Sequence, residues 1–205
     1  KLKGRFSCVE PIDTEDLYAA AVQIDATDGW QRAVAVLDFA AKCMTQVGSK
    51  LKTIRTALEN GRVPRVRNCT DQLDALLRVA KDGGIDAVES ALDSVERVPR
   101  AFVYRRELLR EMKRTVRAFA GGEAKSLEQA AWVIRNRTRR LGRVLPRYAV
   151  GTTLLVKGLE FDHAIVLDAE KYDAKNLYVA MTRGSRSLTI VSDNPCLRPG
   201  RVSGT

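Results

Sequence analysis

A single histidine, His163, serves the whole 205-residue chain. A Ser/His/Asp or Cys/His catalytic arrangement therefore has almost nothing to be built from. The four cysteines, Cys8, Cys43, Cys69 and Cys196, lie far apart and no C-x-x-C occurs, so a zinc site is not expected. Scattered cysteines with no secretory signal suit a reducing cytoplasm, with the thiols buried as small apolar groups. The apolar runs fall far short of a membrane span. No G-x-x-x-x-G-K-[ST] occurs, so a complete phosphate cradle is absent. GGEAKS (121–126) lacks the Gly before the Lys and follows a helical pattern, so it reads as a helix stop and a new helix cap. No pair of acidic residues follows a strand pattern as a Mg²⁺ site of its own would require. The chain also lacks an initiator Met. A start at Lys-Leu-Lys and an end at Arg-Val-Ser-Gly-Thr give the expectation of a segment cut from a longer protein.

What is present suits a folded chain: 45% hydrophobic and 29% charged residues, in a length that can bury a sizeable core. The net charge is +10, and its placement is uneven. The window Arg97 to Arg147 holds 15 Lys/Arg and 4 Asp/Glu, whereas the remainder holds 20 basic and 21 acidic residues. The whole excess therefore sits in one quarter of the chain, the pattern of a polyanion-facing surface. Arg105, Arg106, Arg110, Lys113, Arg114 and Arg117 form one cluster. Arg135, Arg137, Arg139, Arg140, Arg143 and Arg147 form another. A solvated helical face is the plainer alternative. Tyr104, Phe119 and Trp132 have the spacing of core residues first and of base-stacking platforms second.

Residues 14 to about 142 read as helices in series. Leu37, Ala40, Ala41 and Met44 fall at i, i+3, i+4, i+7, and Leu73, Leu76, Leu77 and Ala80 repeat the pattern. Leu108, Leu109, Met112 and Val116 do so within PRAFVYRRELLREMKRTVRAFAGG, whose Pro99 suits a first turn. Gly48, Gly61, Gly83-Gly84, Gly121-Gly122 and Gly142 fall where helices should stop. Ser126 and Gln129 have capping-box spacing, and Trp132, Val133 and Asn136 are expected on the inner side of the helix that follows. RVPRVRN (62–68) reads as an extended connection.

After Pro146 the period changes. YAVGTTLLV predicts a strand, HAIVLD a strand buried on both faces, DAKNLYVAMTRG a short helix with Leu177, Ala180 and Met181 inward, and SLTIVS another strand. The intervening helix makes the last two strands parallel neighbours with a right-handed crossover. The expected fold class is α/β: a mostly helical region over residues 1–145, then an α/β unit over 146–205.

Within that unit, Thr152, Lys157, Gly158, Leu159, Glu160 and Phe161 spell Thr-x-x-x-x-Lys-Gly-Leu-Glu-Phe. About twenty residues on, Tyr178, Val179, Ala180, Thr182 and Arg183 spell Tyr-Val-Ala-x-Thr-Arg. In this order and spacing the pair resembles the last two signature motifs of superfamily 1 DNA helicases of the UvrD/Rep-like group, over residues 148 to 193. The resemblance implies part of a RecA-like second motor domain of P-loop NTPase type. The phosphate loop and the Mg²⁺ carboxylates would then lie on an N-terminal ATPase domain of the same parent chain. It further implies ATP and Mg²⁺ in that intact parent, single-stranded DNA as partner, no membrane, and a cytoplasmic, nucleoid-associated location.

By the same resemblance, Arg183 would be an arginine finger on the γ-phosphate, where a rigid guanidinium meets the spread charge of phosphoryl transfer. Glu160 would approach the ribose and Gly158 would let the backbone near the phosphates. Thr152 would meet a DNA phosphate, as Lys157 would unless it is merely solvated. Arg105, Arg106, Lys113, Arg114, Arg117, Arg139 and Arg140 would lie near the DNA path. The family carries His two residues after the Thr; here that position is Leu154, so a polar contact is missing or made differently. Each residue also has a plain reading. Arg183 can be a helix-end cation before a left-handed Gly184 cap. Glu160 can be a solvated turn residue, and His163 a satisfied structural histidine at the head of a buried strand. At the level of the chain, the alternatives are a non-catalytic nucleic-acid-binding or adaptor module on a degenerate helicase fold, and a motor that serves a nuclease or defence effector.

Overall fold

The computed structural model describes residues 7–9, 14–141 and 147–198, with the side chains of residues 7, 8, 14 and 139–141 excepted. The chain is mixed helix and strand. It divides into two compact units, Ile12–Val144 and a second formed by Lys1–Pro11 together with Leu145–Thr205.

The first unit is helical among its described residues: α1 (Thr14–Ala26), α2 (Gly29–Cys43), α3 (Val47–Lys50), α4 (Lys52–Glu59), α5 (Thr70–Asp82), α6 (Asp86–Glu96), α7 (Arg106–Ala120) and α8 (Leu127–Leu141). Helix α2 lies at its centre. Ala33 to Leu37, Phe39, Ala40 and Cys43 are buried, so it is apolar on almost every side, as a helix enclosed by others must be. Helices α1, α4, α5, α6 and α7 pack against it. The stripes expected on α5 and α7 face the core, with Leu73, Leu76, Leu108, Leu109, Met112 and Val116 buried. Arg32 fastens helix ends together. Its Nε donates to the Ile24 and Thr27 carbonyls past α1, and Nη1 donates to the Gly83 carbonyl at the end of α5.

Several expectations change here. Gly48 lies inside α3 and stops nothing, whereas Gly61 and Gly83 do end helices, at φ +62° and +63°. Gly142 lies outside the described residues. Pro99 does not open a helix. Residues 99–105 run irregularly because Val103 bridges Met44 antiparallel, with Thr45 N–H donating to Phe102 O at 2.9 Å and Tyr104 N–H to Cys43 O at 3.1 Å. Helix α7 therefore starts at Arg106. On α8 the buried residues are Leu127, Ala130, Ala131, Ile134 and Arg135; Trp132 is 61% exposed and points outward. Of the cysteines, Cys43 is buried, Cys69 half-buried and Cys196 exposed.

In the second unit β1 (Ser7–Cys8) pairs parallel with β2 (Ala149–Val150). Strand β3 (Phe161–Val166) pairs parallel with β4 (Gly184–Ile190), and α10 (Ala174–Met181) lies between them in sequence. The parallel pairing follows the expected order. YAVGTTLLV is not one strand, however: after Val150 the backbone turns at Thr152 into the short helix α9 (Thr153–Val156). Nor is β3 buried on both faces. Val166, Ala169, Leu177 and Ala180 form the small core on the α10 side. Ile165 (64% exposed) and Leu167 (60% exposed) face away from it, and Met181 is exposed.

Candidate functional site

The motif residues of the second unit converge on one junction. Asp173 caps α10, its carboxylate accepting the Asn176 N–H at 2.7 Å. The same Asn176 accepts at its side-chain oxygen from the Thr153 hydroxyl at 2.6 Å, which ties α10 to α9. At the far end α10 stops at Thr182, whose hydroxyl returns to the Tyr178 and Val179 carbonyls.

Arg183 then reaches back across both motifs. Its Nε donates to Val179 O at 2.8 Å, Nη2 to Thr182 Oγ1 at 2.7 Å and Nη1 to Leu159 O at 3.0 Å. Its own carbonyl accepts the Phe161 N–H at 2.9 Å. Residues 159 and 161 are thus both held by Arg183, and Glu160 between them is exposed, with no partner among the described residues. Gly158 sits two residues before it at φ +79°, and a Cβ there would meet open space. Gly158, Glu160 and Arg183 are therefore brought together at one exposed turn.

Lys157 is exposed beside that turn. Thr152 precedes α9 in extended backbone; its carbonyl accepts the Leu155 and Val156 N–H groups, while its hydroxyl makes no cap. Leu154, two residues after Thr152, is 78% exposed.

Two expectations fail locally. Gly184 is not a left-handed cap, because the helix closes at Thr182 (φ −85°) and Gly184 opens β4. A side chain at 184 would strike the carbonyl oxygen of Ser187 on the same strand and press on Ala164 of β3 at 3.1 Å, so glycine is there because the irregular start of β4 folds close on itself and on β3. His163 is exposed instead of heading a buried strand, and its Nδ1 shares a 2.7 Å hydrogen bond with Ser187 Oγ on β4.

The basic window behaves differently from its sequence count. Arg105 pairs with Asp16 at 2.7 Å and Lys113 with Asp93 and Glu96, each at 2.6 Å. Arg117 pairs with Glu89, the buried Arg135 with Glu111 at 3.1 Å and Arg137 with Glu123 at 2.7 Å. Four of these carboxylates come from outside the window: Glu89, Asp93 and Glu96 on the face of α6 turned to α7, and Asp16 on α1. The Lys113 side chain is only 14% exposed. Burial pulls its ammonium pKa down, but hydrogen bonds to Asp93 and Glu96 outweigh that and leave it raised. Arg106 lies 6.0 Å over the Phe102 ring. Arg110 and Arg114 are exposed and have no carboxylate partner among the described residues. Arg139 and Arg140 lie on α8 with side chains outside the described residues, and Arg143 is outside them altogether. Of the three aromatics, Phe119 packs on the core, while Tyr104 and Trp132 are exposed.

Sequence reasoning missed Leu159 O, Asn176 and Thr153 as the partners that position the site. They act through backbone or short polar groups that carry no signal in a single sequence. Among the described residues no group of three His, Cys, Asp or Glu is placed to hold a metal ion, and no helix is long and apolar enough to cross a membrane. No protein-family model, curated protein or solved structure matches the chain.

Proposed function

We propose that the chain is the C-terminal part of an ATP-dependent DNA helicase or translocase of the UvrD/Rep-like kind, with residues from 146 onward belonging to a RecA-like second motor domain. One observation carries this reading. The two resembling motifs, about twenty residues apart, are joined at one exposed turn by Arg183, with Gly158 and Glu160 flanking the Leu159 whose carbonyl its Nη1 holds. A nucleotide fits the residues present. Open space at Gly158 admits a phosphate close to the backbone, Glu160 has free acceptor oxygens for ribose hydroxyls, and Nη1 and Nη2 of Arg183 each keep an uncommitted N–H. In such a cleft Arg183 would meet charge developing on the transferred phosphoryl group, a role worth about 10³–10⁵ in turnover. ATP and Mg²⁺ would be held mainly by the ATPase domain upstream, and the isolated chain would not hydrolyse ATP. Exposed Arg110 and Arg114, with Thr152 and Lys157, would contact single-stranded DNA phosphates.

A second reading, a non-catalytic nucleic-acid-binding or adaptor module, is favoured by the same arginine. Three of its donors are spent on Val179 O, Leu159 O and Thr182 Oγ1, which is what a purely structural clamp would do. ATP turnover by the parent protein, with and without single-stranded DNA, beside its Arg183→Ala variant separates the two. DNA-stimulated turnover that falls at least a thousandfold in the variant is expected. Absence of turnover, or turnover indifferent to Arg183, would assign the adaptor role.

A further inference from the structure

We propose that α4 and the extended segment after it form a groove for the phosphate backbone of a nucleic acid, separate from the 97–147 window. Residues 50–67 hold six Lys/Arg and one acidic residue, Glu59. That carboxylate is already taken. Arg55 spans Glu59 at 2.6 Å and Asp38 at 2.8 Å. This leaves Lys50, Lys52, Arg62, Arg65 and Arg67, all exposed and none paired with a carboxylate among the described residues. On α7, by contrast, Lys113 and Arg117 are neutralised by α6. Residues 50–67 are therefore a second concentration of uncompensated charge, at a place where the overall count of the sequence did not point.

The shape suits an elongated anion. Gly61 turns at φ +62° and Arg62 N–H returns to Ala57 O at 2.9 Å, so Arg62 folds back beside α4. Lys52 and Arg62 line an open cavity of about 430 Å³ with Thr53, Thr56, Ala57 and Asn60. Beyond it Arg65 and Arg67 continue along a segment without regular structure, spreading charge over about 16 Å if extended. Hydroxyl, amide and guanidinium donors are the groups that meet phosphate oxygens. Residues 50–67 contain no aromatic ring to stack a base. The contact would thus be blind to base identity and strongly salt-dependent. It rests on charge and shape in the helical unit alone, so it stands whether or not Arg183 serves an ATP cleft.

The test is fluorescence anisotropy of fluorescein-labelled dT20 with this chain between 50 and 200 mM NaCl. It compares wild type, the quadruple variant Lys52→Ala/Arg62→Ala/Arg65→Ala/Arg67→Ala, and Arg110→Ala/Arg114→Ala. The quadruple variant is expected to bind at least tenfold more weakly at 50 mM, with the slope of log K against log salt reduced by about 2–3. The three Arg→Lys changes together should keep most of the binding, because they keep the charge. All four side chains are exposed and none is paired with a carboxylate among the described residues, so thermal melts should coincide with wild type. A quadruple variant that binds dT20 like wild type, with all loss in the Arg110/Arg114 variant, would overturn the groove and leave the DNA reading standing. Failure of wild type to bind dT20 would overturn both. Equal affinity for a poly-glutamate of matching charge would reassign the surface to an acidic protein partner.

Discussion

Arg183 and Gly184 show how much two adjacent residues can decide. The arginine spends side chain and backbone on residues 159 and 161, and the glycine lets β4 leave that junction against β3. Gly184→Ala is expected to cost about 1–3 kcal/mol through overpacking against the Ser187 carbonyl and Ala164. Hydrogen exchange should show it first at the Phe161 N–H, which donates to Arg183 O at 2.9 Å beside the glycine; unchanged protection there would remove the packing argument. Asp16 gives a pH-dependent case. Its hydrogen bond to Arg105, opposed by burial and reinforced by Lys42, holds its carboxyl below the ordinary range. A lowered folded-state pKa means stability that is complete above about pH 4 and is lost as pH falls through the folded value. The urea midpoints of wild type and Asp16→Asn should therefore differ at pH 7, with the gap shrinking as pH falls below about 4. A gap that persists at low pH would mean the carboxylate is not its source. Of these features the Thr182-Arg183 pair was visible as part of a motif, but the Leu159 carbonyl that Arg183 holds was not, since every residue has a carbonyl.

Helices were more legible than strands. Where apolar residues recur at helical spacing and a cap stands at one end, as in α5, α7 and α8, local chemistry and burial agree. At α8, Ser126 Oγ accepts the Gln129 N–H at 3.1 Å, and Gln129 Oε1 accepts from Lys125 N–H at 2.8 Å. Asp25 on α1 adds a distant cap, accepting the Leu127 N–H at 3.0 Å. Ser126→Ala should lower stability by about 1 kcal/mol and Ser126→Asp should largely restore it, both read from denaturant midpoints. Asp25 could not have been found in this role from local pattern, because it is 102 residues away. Strand reading failed where pairing overrode propensity. Tyr148 to Val156 is rich in strand formers, yet the described strand pairing takes in Ala149–Val150 alone, and a Cβ at Gly151 would come within 3.1 Å of Val9 Cβ as the chain turns. An apolar run such as HAIVLD says that both faces suit burial; whether anything covers them depends on what else the chain brings.

Across the molecule, burial is unequal. Ile12–Val144 holds one continuous core from Leu17 to Ala131, whereas the described core of the second unit is Val166, Ala169, Leu177 and Ala180 with Tyr172 and Leu197 beside it. Cooperative stability scales with buried apolar area, so the units should open separately. Amides of α2 and α6 should exchange only by full opening of the helical unit, and those of β3 and β4 much sooner. Leu92→Ala should cost about 2–5 kcal/mol in the first unit while leaving exchange in β4 unchanged. A single transition shared by all amides would refute this division. What could be read from residue order alone was whatever local chemistry dictates: helix stripes, the Ser126 cap, the parallel strand–helix–strand order and the two motifs. Charge was the opposite case. Fifteen cations between Arg97 and Arg147 announced a polyanion surface, but in the fold Lys113 and Arg117 meet carboxylates of α6, while Lys50, Lys52, Arg62, Arg65 and Arg67 meet none among the described residues. Coulomb energy depends on distance through space, and only the tertiary fold sets which carboxylate stands beside which cation.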